Sequence, residues 1–174
     1  LAAARTLQKH GLPVTGFESH SDVGGLWDIT NPQSTVYESA HLISSKRMTE
    51  FTEFPMRDDV APYPRHDELK RYFAEFADRF ALRERYEFST RVVSVVRPPA
   101  GEHGWDVTTE RAGARRTRRF AAVLIATGTL HHPHQPSLPG TFGGQVMHSA
   151  AYKSSDVFAG KRVLVVGCGN SGAD

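Results

Sequence analysis

The sequence predicts an α/β fold built on a parallel sheet, and three segments carry the prediction. An alanine-rich helical stretch ending at Gly11 is followed by a short strand that closes on an acid, Glu18. A continuous apolar run from Ala121 to Ala126 leads into Thr127-Gly128. A second run, Arg162 to Val166, passes directly into Gly167-Cys168-Gly169-Asn170-Ser171-Gly172. Strands that alternate with helices and end in glycine turns are the signature of parallel sheets with crossover helices.

Taken in order, Leu1 to Gly11 places Leu1, Ala4 and Leu7 on one helical face and stops at a glycine suited to the position after a helix. Val14 to Glu18 reads as a short strand. Asp28 to Arg65 holds four prolines and little periodicity, so it reads as loop with short turns. His66 to Leu82 repeats Leu69, Tyr72, Phe73, Phe76 and Phe80 at helical spacing, with Asp67 and Glu68 in the first turn. Phe88 to Val96 alternates as a strand. Trp105–Thr109 and Arg115–Ala122 form a hairpin pattern around Ala112-Gly113-Ala114. The apolar runs 121–128 and 162–166 read as buried strands. Both ends look cut inside a strand–helix–strand unit, so the chain reads as a fragment truncated at both ends.

Composition excludes several classes. Over 174 residues, 39% are hydrophobic and 23% charged, with a net charge of +2, which suffices for a core and rules out an acidic or polybasic disordered chain. No concentrated basic footprint supports nucleic-acid binding; Arg111, Arg115, Arg116, Arg118 and Arg119 read as a solvated hairpin edge. The single cysteine, Cys168, excludes an internal disulfide and CxxC chemistry. No apolar run approaches the ~20 residues of a membrane span. His131, His132 and His134 lack carboxylate or cysteine partners at ligand spacing, so no metal is expected.

Gly167, Gly169 and Gly172 fit G-x-G-x-x-G directly after a strand. The first glycine permits the tight turn, the second lets the backbone approach a pyrophosphate, and the third allows close helix–strand packing, with Asn170 and Ser171 opening the helix. Glu18 occupies the place where an acid accepts both hydroxyls of a ribose diol.

Further segments resemble one family. Phe17-Glu18 followed by Gly24-Gly25-Leu26-Trp27, then Tyr37, Ser45-Lys46, Met48 and Phe51 to Pro55, and Tyr63-Pro64 with His66, stand in an order similar to the flavin-containing monooxygenase family. Ala126-Thr127-Gly128 with Pro133 and Pro136, and Phe142-Gly143-Gly144 with His148 and Tyr152-Lys153, complete the resemblance, in which Tyr152 stands where Baeyer–Villiger relatives have Trp. It implies a two-dinucleotide-domain flavoprotein, Rossmann-like with a β meander. Residues 1–156 would be an FAD domain lacking its first strand and glycine turn, and 157–174 the start of an inserted NADPH domain. The cofactors implied are FAD and NADPH, held by Glu18, Gly25, Leu26, Trp27, Ile43, Ser44, Val92, Thr127, Gly128, Gly167, Gly169, Asn170, Ser171 and Gly172; no residue is assigned as catalytic.

The resemblance implies oxygenation of a small organic amine or sulfide with O2 through a flavin hydroperoxide, in the cytoplasm, alone or as a homo-oligomer. The cofactor carries the chemistry and the protein supplies orientation and exclusion of water. One position departs: the family's Asn in the loop before Lys46 is here Ile43, which cannot donate amide hydrogen bonds. Baeyer–Villiger ketone oxygenation and a non-oxygenating FAD/NADPH oxidoreductase therefore stay open.

Overall fold

Helix α1 (Ala2–Lys9) forms on its alanine-rich sequence and ends where a glycine lets the chain reverse. Gly11, at φ +66°, donates its N–H to the Gln8 carbonyl (3.0 Å), and Leu12 donates to Leu7 (2.9 Å), satisfying the last carbonyls of the helix. The computed structural model describes residues 1–173. They form two units, Leu1–Val23 with Phe73–Thr127, and Gly24–Tyr72 with residues 128–173.

In the first unit, strand β1 (Gly16–Phe17) pairs in parallel with β2 (Tyr86–Glu87). The pairing puts the Tyr86 ring against Gly16, where a Cβ would lie 2.4 Å from the ring, so only glycine fits. The main chain continues the contact past the strand: Glu18 donates to Glu87 (3.1 Å), and Thr90 donates to the Glu18 carbonyl (2.8 Å). The regular strand is thus two residues, shorter than the expected 14–18.

Strands β3 (Arg91–Val96), β4 (Trp105–Arg111) and β5 (Ala114–Phe120) form an antiparallel meander, with an irregular register between Val92 and Ser94. The β4–β5 turn is the two-residue type that needs positive φ at both positions, met by Ala112 (+48°) and Gly113 (+80°). Val107 and Thr109 bury the inner face of β4. The arginines of β5 meet acids: Arg115 pairs with Glu110 (2.8 Å), Arg118 with Glu87 (2.7 Å), and Arg119 with Glu102 (2.7 Å) and Asp106. Arg118 also lies over the Phe17 ring.

Helix α3 (His66–Arg79) buries Leu69, Tyr72, Phe76 and Ala77, an i, i+3, i+7, i+8 face. Its start is capped by Glu68, whose carboxylate accepts the Arg65 N–H at 3.0 Å. It ends three residues before the expected Leu82. Ala81 takes φ +50°, and Leu82 donates to the Ala77 carbonyl (2.8 Å) while its side chain seals the turn at 0% exposure.

The second unit has little regular structure between Gly24 and Arg65 beyond a 3-10 turn at Gly25–Trp27 and the four-residue helix α2 (Lys46–Thr49). The segment after Gly128 carries 3-10 turns at Ser149–Ala151 and Ser155–Phe158 and ends in α4 (Asn170–Ala173).

Two expectations fail. Residues 121–128 and 162–166 form no strand, and Leu124, Ile125 and Leu164 are exposed rather than buried. A parallel strand exists only beside a partner ladder, and no such partner for either run occurs among the described residues. The fold is α/β, with its regular sheet carried by the small parallel pair and the meander. Among the described residues, no helix is long and apolar enough to cross a membrane.

Candidate dinucleotide-binding site

Glu18 stands just past β1, half-buried. Its Oε1 accepts the His20 N–H (2.8 Å) and lies 3.4 Å from the Ser19 hydroxyl, while Oε2 meets no donor among the described residues. The nearby Tyr86 hydroxyl is pushed up in pKa by burial and then by the Glu18 charge. A carboxylate turned by its own loop, with one oxygen open, can accept a hydroxyl hydrogen bond from a ligand.

The turn Gly24–Trp27 is held from below by Asp28, which is 1% exposed. Asp28 accepts the Thr30 hydroxyl (2.7 Å) and N–H (3.0 Å) and pairs with the Lys70 ammonium at 3.0 Å. Burial pushes this carboxyl up, but the bonds from Thr30 and Lys70 outweigh it and hold it at about 2. Gly24, at φ +125°, sits directly above: a Cβ there would meet Asp28 at 3.3 Å and Lys70 at 3.5 Å. The carbonyls of the turn are engaged as well, Gly25 by the Asn31 amide (3.3 Å) and Leu26 by the Ser34 hydroxyl. Gly25, at φ +53°, has open space where its Cβ would be, whereas Leu26 and Trp27 are half-buried.

The neighbouring loop is organised by a lysine and a tyrosine. Lys46, buried, donates all three ammonium protons to main-chain carbonyls, Arg57 (2.9 Å), Asp58 (3.2 Å) and Val60 (2.6 Å). The Tyr72 hydroxyl accepts the Phe51 N–H and donates to the Phe54 carbonyl, both at 2.7 Å, closing the turn between them. Ile43 remains 70% exposed and Met48 82%, with the Ser44 hydroxyl 3.0 Å from that of Thr49. The loop thus presents two exposed apolar side chains, Ile43 and Met48.

Val92 lies on β3 at the register irregularity, exposed. Thr127 and Gly128 sit in irregular, exposed chain rather than at a strand end; Gly128 has φ +77°. The second glycine turn is better formed. Gly167 takes φ +134°, and a Cβ on Gly172 would lie 2.8 Å from the Gly167 carbonyl oxygen. Gly172 and Ala173 donate to the Gly169 carbonyl (2.9 and 3.2 Å), which starts α4 at Asn170 and Ser171. Gly169 has nothing within 4 Å of its Cβ position. The third glycine is therefore required by the backbone, and the second leaves room for a ligand, a pattern that fits a dinucleotide pyrophosphate.

The bracing roles of Asp28, Lys46, Tyr72 and Lys153 left no sign in the sequence, because Lys70, the 57–60 carbonyls, Phe51 and Ser34 lie at separations that no local pattern records. Lys153 reaches the Ser34 and Val36 carbonyls at 2.7 and 2.9 Å, across more than a hundred residues of chain, and burial lowers its pKa. Among the described residues, no group of three or more His, Cys, Asp or Glu could hold a metal ion.

A parallel strand closing on an acid and a glycine turn closed by its own backbone are features of α/β nucleotide-binding folds. The chain belongs to the flavin-binding monooxygenase-like family, which it matches over residues 1–174. It is 40% identical to flavin-containing monooxygenase 3 of Macaca mulatta over 184 residues, covering 100% of this chain and 35% of that protein. Thus the chain spans about a third of the length of the curated relatives it matches. Among solved structures, a flavin-containing monooxygenase from Stenotrophomonas maltophilia superposes with a TM-score of 0.81 at 30% identity, over 98% of this chain and 48% of that one. An oxidised steroid monooxygenase bound to NADP superposes with a TM-score of 0.70 at 31% identity, over 98% of this chain and 32% of the other. The family expected from the sequence is the family found, and flavin and NADP are its cofactors.

Proposed function

We propose that the chain is the FAD-binding part, residues 1–156, and the beginning of the NADPH-binding part, 157–174, of a cytoplasmic enzyme. It uses NADPH and O2 to oxygenate a small amine or sulfide. A bound flavin would supply the redox chemistry, with NADPH as the reductant and O2 as the source of the oxygen atom. The chain's residues bind and orient. Glu18 offers Oε2 to a ribose hydroxyl, and Gly25, Leu26 and Trp27 carry the turn above Asp28. Further flavin-binding residues in this reading are Ile43, Ser44 and Gly128 in one unit and Val92 and Thr127 in the other, while Gly167, Gly169, Asn170, Ser171 and Gly172 receive the NADPH pyrophosphate.

The observation that carries this reading is the close approach of Gly172 to the Gly167 carbonyl, with open space at Gly169 between them. A third glycine required by its own backbone and a second with free space beside it are what a dinucleotide pyrophosphate needs of such a turn. A second reading, ketone oxygenation of the Baeyer–Villiger type, is favoured by the exposed Ile43 side chain where an amide is expected.

The test uses the intact protein with a tertiary amine, a thioether and a cyclic ketone. The expected outcome is a yellow, FAD-containing protein that forms N-oxide or sulfoxide with NADPH and O2. Ester from the ketone alone establishes the second reading. NADPH oxidation that yields only hydrogen peroxide with every substrate rejects both. Glu18→Ala should weaken FAD binding by about 1–3 kcal/mol, since a ribose hydroxyl loses its acceptor; unchanged affinity by flavin fluorescence removes Glu18 from the site.

A further inference from the structure

The three methionines of the chain stand in three environments. Met56 is buried at 5% exposure and donates its N–H to the Glu50 carboxylate (2.8 Å). Met147 is half-buried. Met48 is 82% exposed, and the local fold dictates it. Helix α2 opens on Lys46, whose ammonium is drawn inward onto the carbonyls of Arg57, Asp58 and Val60. Two residues further on, about 200° around the helix, a side chain points the opposite way. The main chain that carries it is bonded throughout. Leu42 donates to the Pro64 carbonyl (2.9 Å), Lys46 to Pro62 (2.8 Å), Met48 to Ser45 (3.0 Å) and Glu50 to Lys46 (2.8 Å), and the Thr49 hydroxyl reaches the Ser45 carbonyl (3.3 Å). The Met48 thioether is therefore held outward on the loop that also exposes Ile43.

A thioether is soft and polarizable, and it is the functional group of a sulfide substrate. We propose that Met48 is a site of self-oxygenation, where the side chain becomes methionine sulfoxide by taking one oxygen atom from peroxide formed in the protein's own turnover. The inference rests on the oxygenase reading given above for the source of that peroxide. NADPH, a proton and O2 give NADP+ and hydrogen peroxide. A lone pair of the Met48 sulfur attacks one peroxide oxygen; the S–O bond forms as the O–O bond breaks, and the other oxygen leaves as water with both protons. The sulfur loses two electrons and the peroxide gains them. The product replaces a flexible apolar side chain by a polar one on the Ile43 loop.

The experiment incubates the intact, FAD-loaded protein with NADPH in air, with no small substrate to compete, and reads the three methionine peptides by mass spectrometry. A second arm adds catalase, and a third gives hydrogen peroxide without NADPH. Met48 should carry sulfoxide at least about tenfold above Met56, and above Met147, in the first and third arms. Sulfoxide that survives catalase means that the oxygen passes within the protein, and sulfoxide lost to catalase means that released peroxide is the oxidant; both bear out the proposal and identify the source. NADPH consumption that leaves Met48 a thioether overturns the proposal alone, as does equal oxidation of all three methionines. Failure of wild type to consume NADPH overturns the oxygenase reading, and the proposal with it.

Discussion

At Gly24 a Cβ would meet the Asp28 and Lys70 side chains at 3.3 and 3.5 Å; at Gly172 it would meet the Gly167 carbonyl oxygen at 2.8 Å. The first glycine turn is shaped by side chains below it, which can rotate or be replaced. The second is shaped by its own backbone, which cannot move without opening the turn. One turn is therefore tunable through an ion pair, and the other is intolerant at its third glycine. In one respect the two are alike: Gly25 and Gly169 both have open space where a Cβ would be.

The largest effect expected from this contrast is at Gly172. Gly172→Val places a branched side chain where 2.8 Å is available and should slow NADPH-driven flavin reduction about a hundredfold while FAD stays bound. Gly169→Val should block NADPH to a similar degree without loss of thermal stability, because nothing of the protein lies within 4 Å of that position. Parallel loss of FAD and NADPH in the Gly172 variant, measured by flavin absorbance and stopped flow, would mean that the turn is coupled to the whole fold.

Next in size is the ion pair. Folding lowers the Asp28 carboxyl from its ordinary 3.8 to about 2, so the stabilisation is fully present above pH 4 and disappears as pH falls through 2. The contribution is about 2 kcal/mol. Urea denaturation of the intact protein should show Asp28→Asn less stable by roughly this amount at pH 7, with the two curves converging near pH 2. A constant difference across that range would show that packing, not charge, is what Asp28 contributes.

The smallest effect is at Ile43. Because its side chain is 70% exposed, Ile43→Asn should leave stability within about 0.5 kcal/mol of wild type. It should change the share of NADPH consumption that ends in oxygenated product by about fivefold, the worth of one hydrogen bond. Product yield set against hydrogen peroxide release measures this, and an unchanged ratio would reduce Ile43 to loop packing.

Legibility in the sequence followed the range of the interactions. Helices α1 and α3, the β4–β5 hairpin and the Gly167–Gly172 turn were readable because each is specified within a few residues, by periodicity, capping or glycine spacing. The runs 121–128 and 162–166 misled for the opposite reason: apolarity announces a buried strand, but a strand is completed only by a neighbour elsewhere in the chain. The irregular segment 28–65 hid its supports because Asp28–Lys70, Tyr72–Phe51 and Lys153–Ser34 join residues far apart in sequence. Glu18 could be placed from sequence because the strand it closes follows its helix directly, a local signal; its role at a ribose remains the proposal made above.

Lys46 gives all three of its protons to the carbonyls of Arg57, Asp58 and Val60. Every peptide unit has such a carbonyl, so the shape of this loop is stored in one side chain and not in the residues that trace it. Arg57, Asp58 and Asp59 are exposed and could be exchanged for almost any residue while the path of the chain stayed the same. The arrangement separates contour from decoration: the surface chemistry of residues 57–59 can diversify, and their path depends on position 46, where nearly no substitution would keep three donors on one atom.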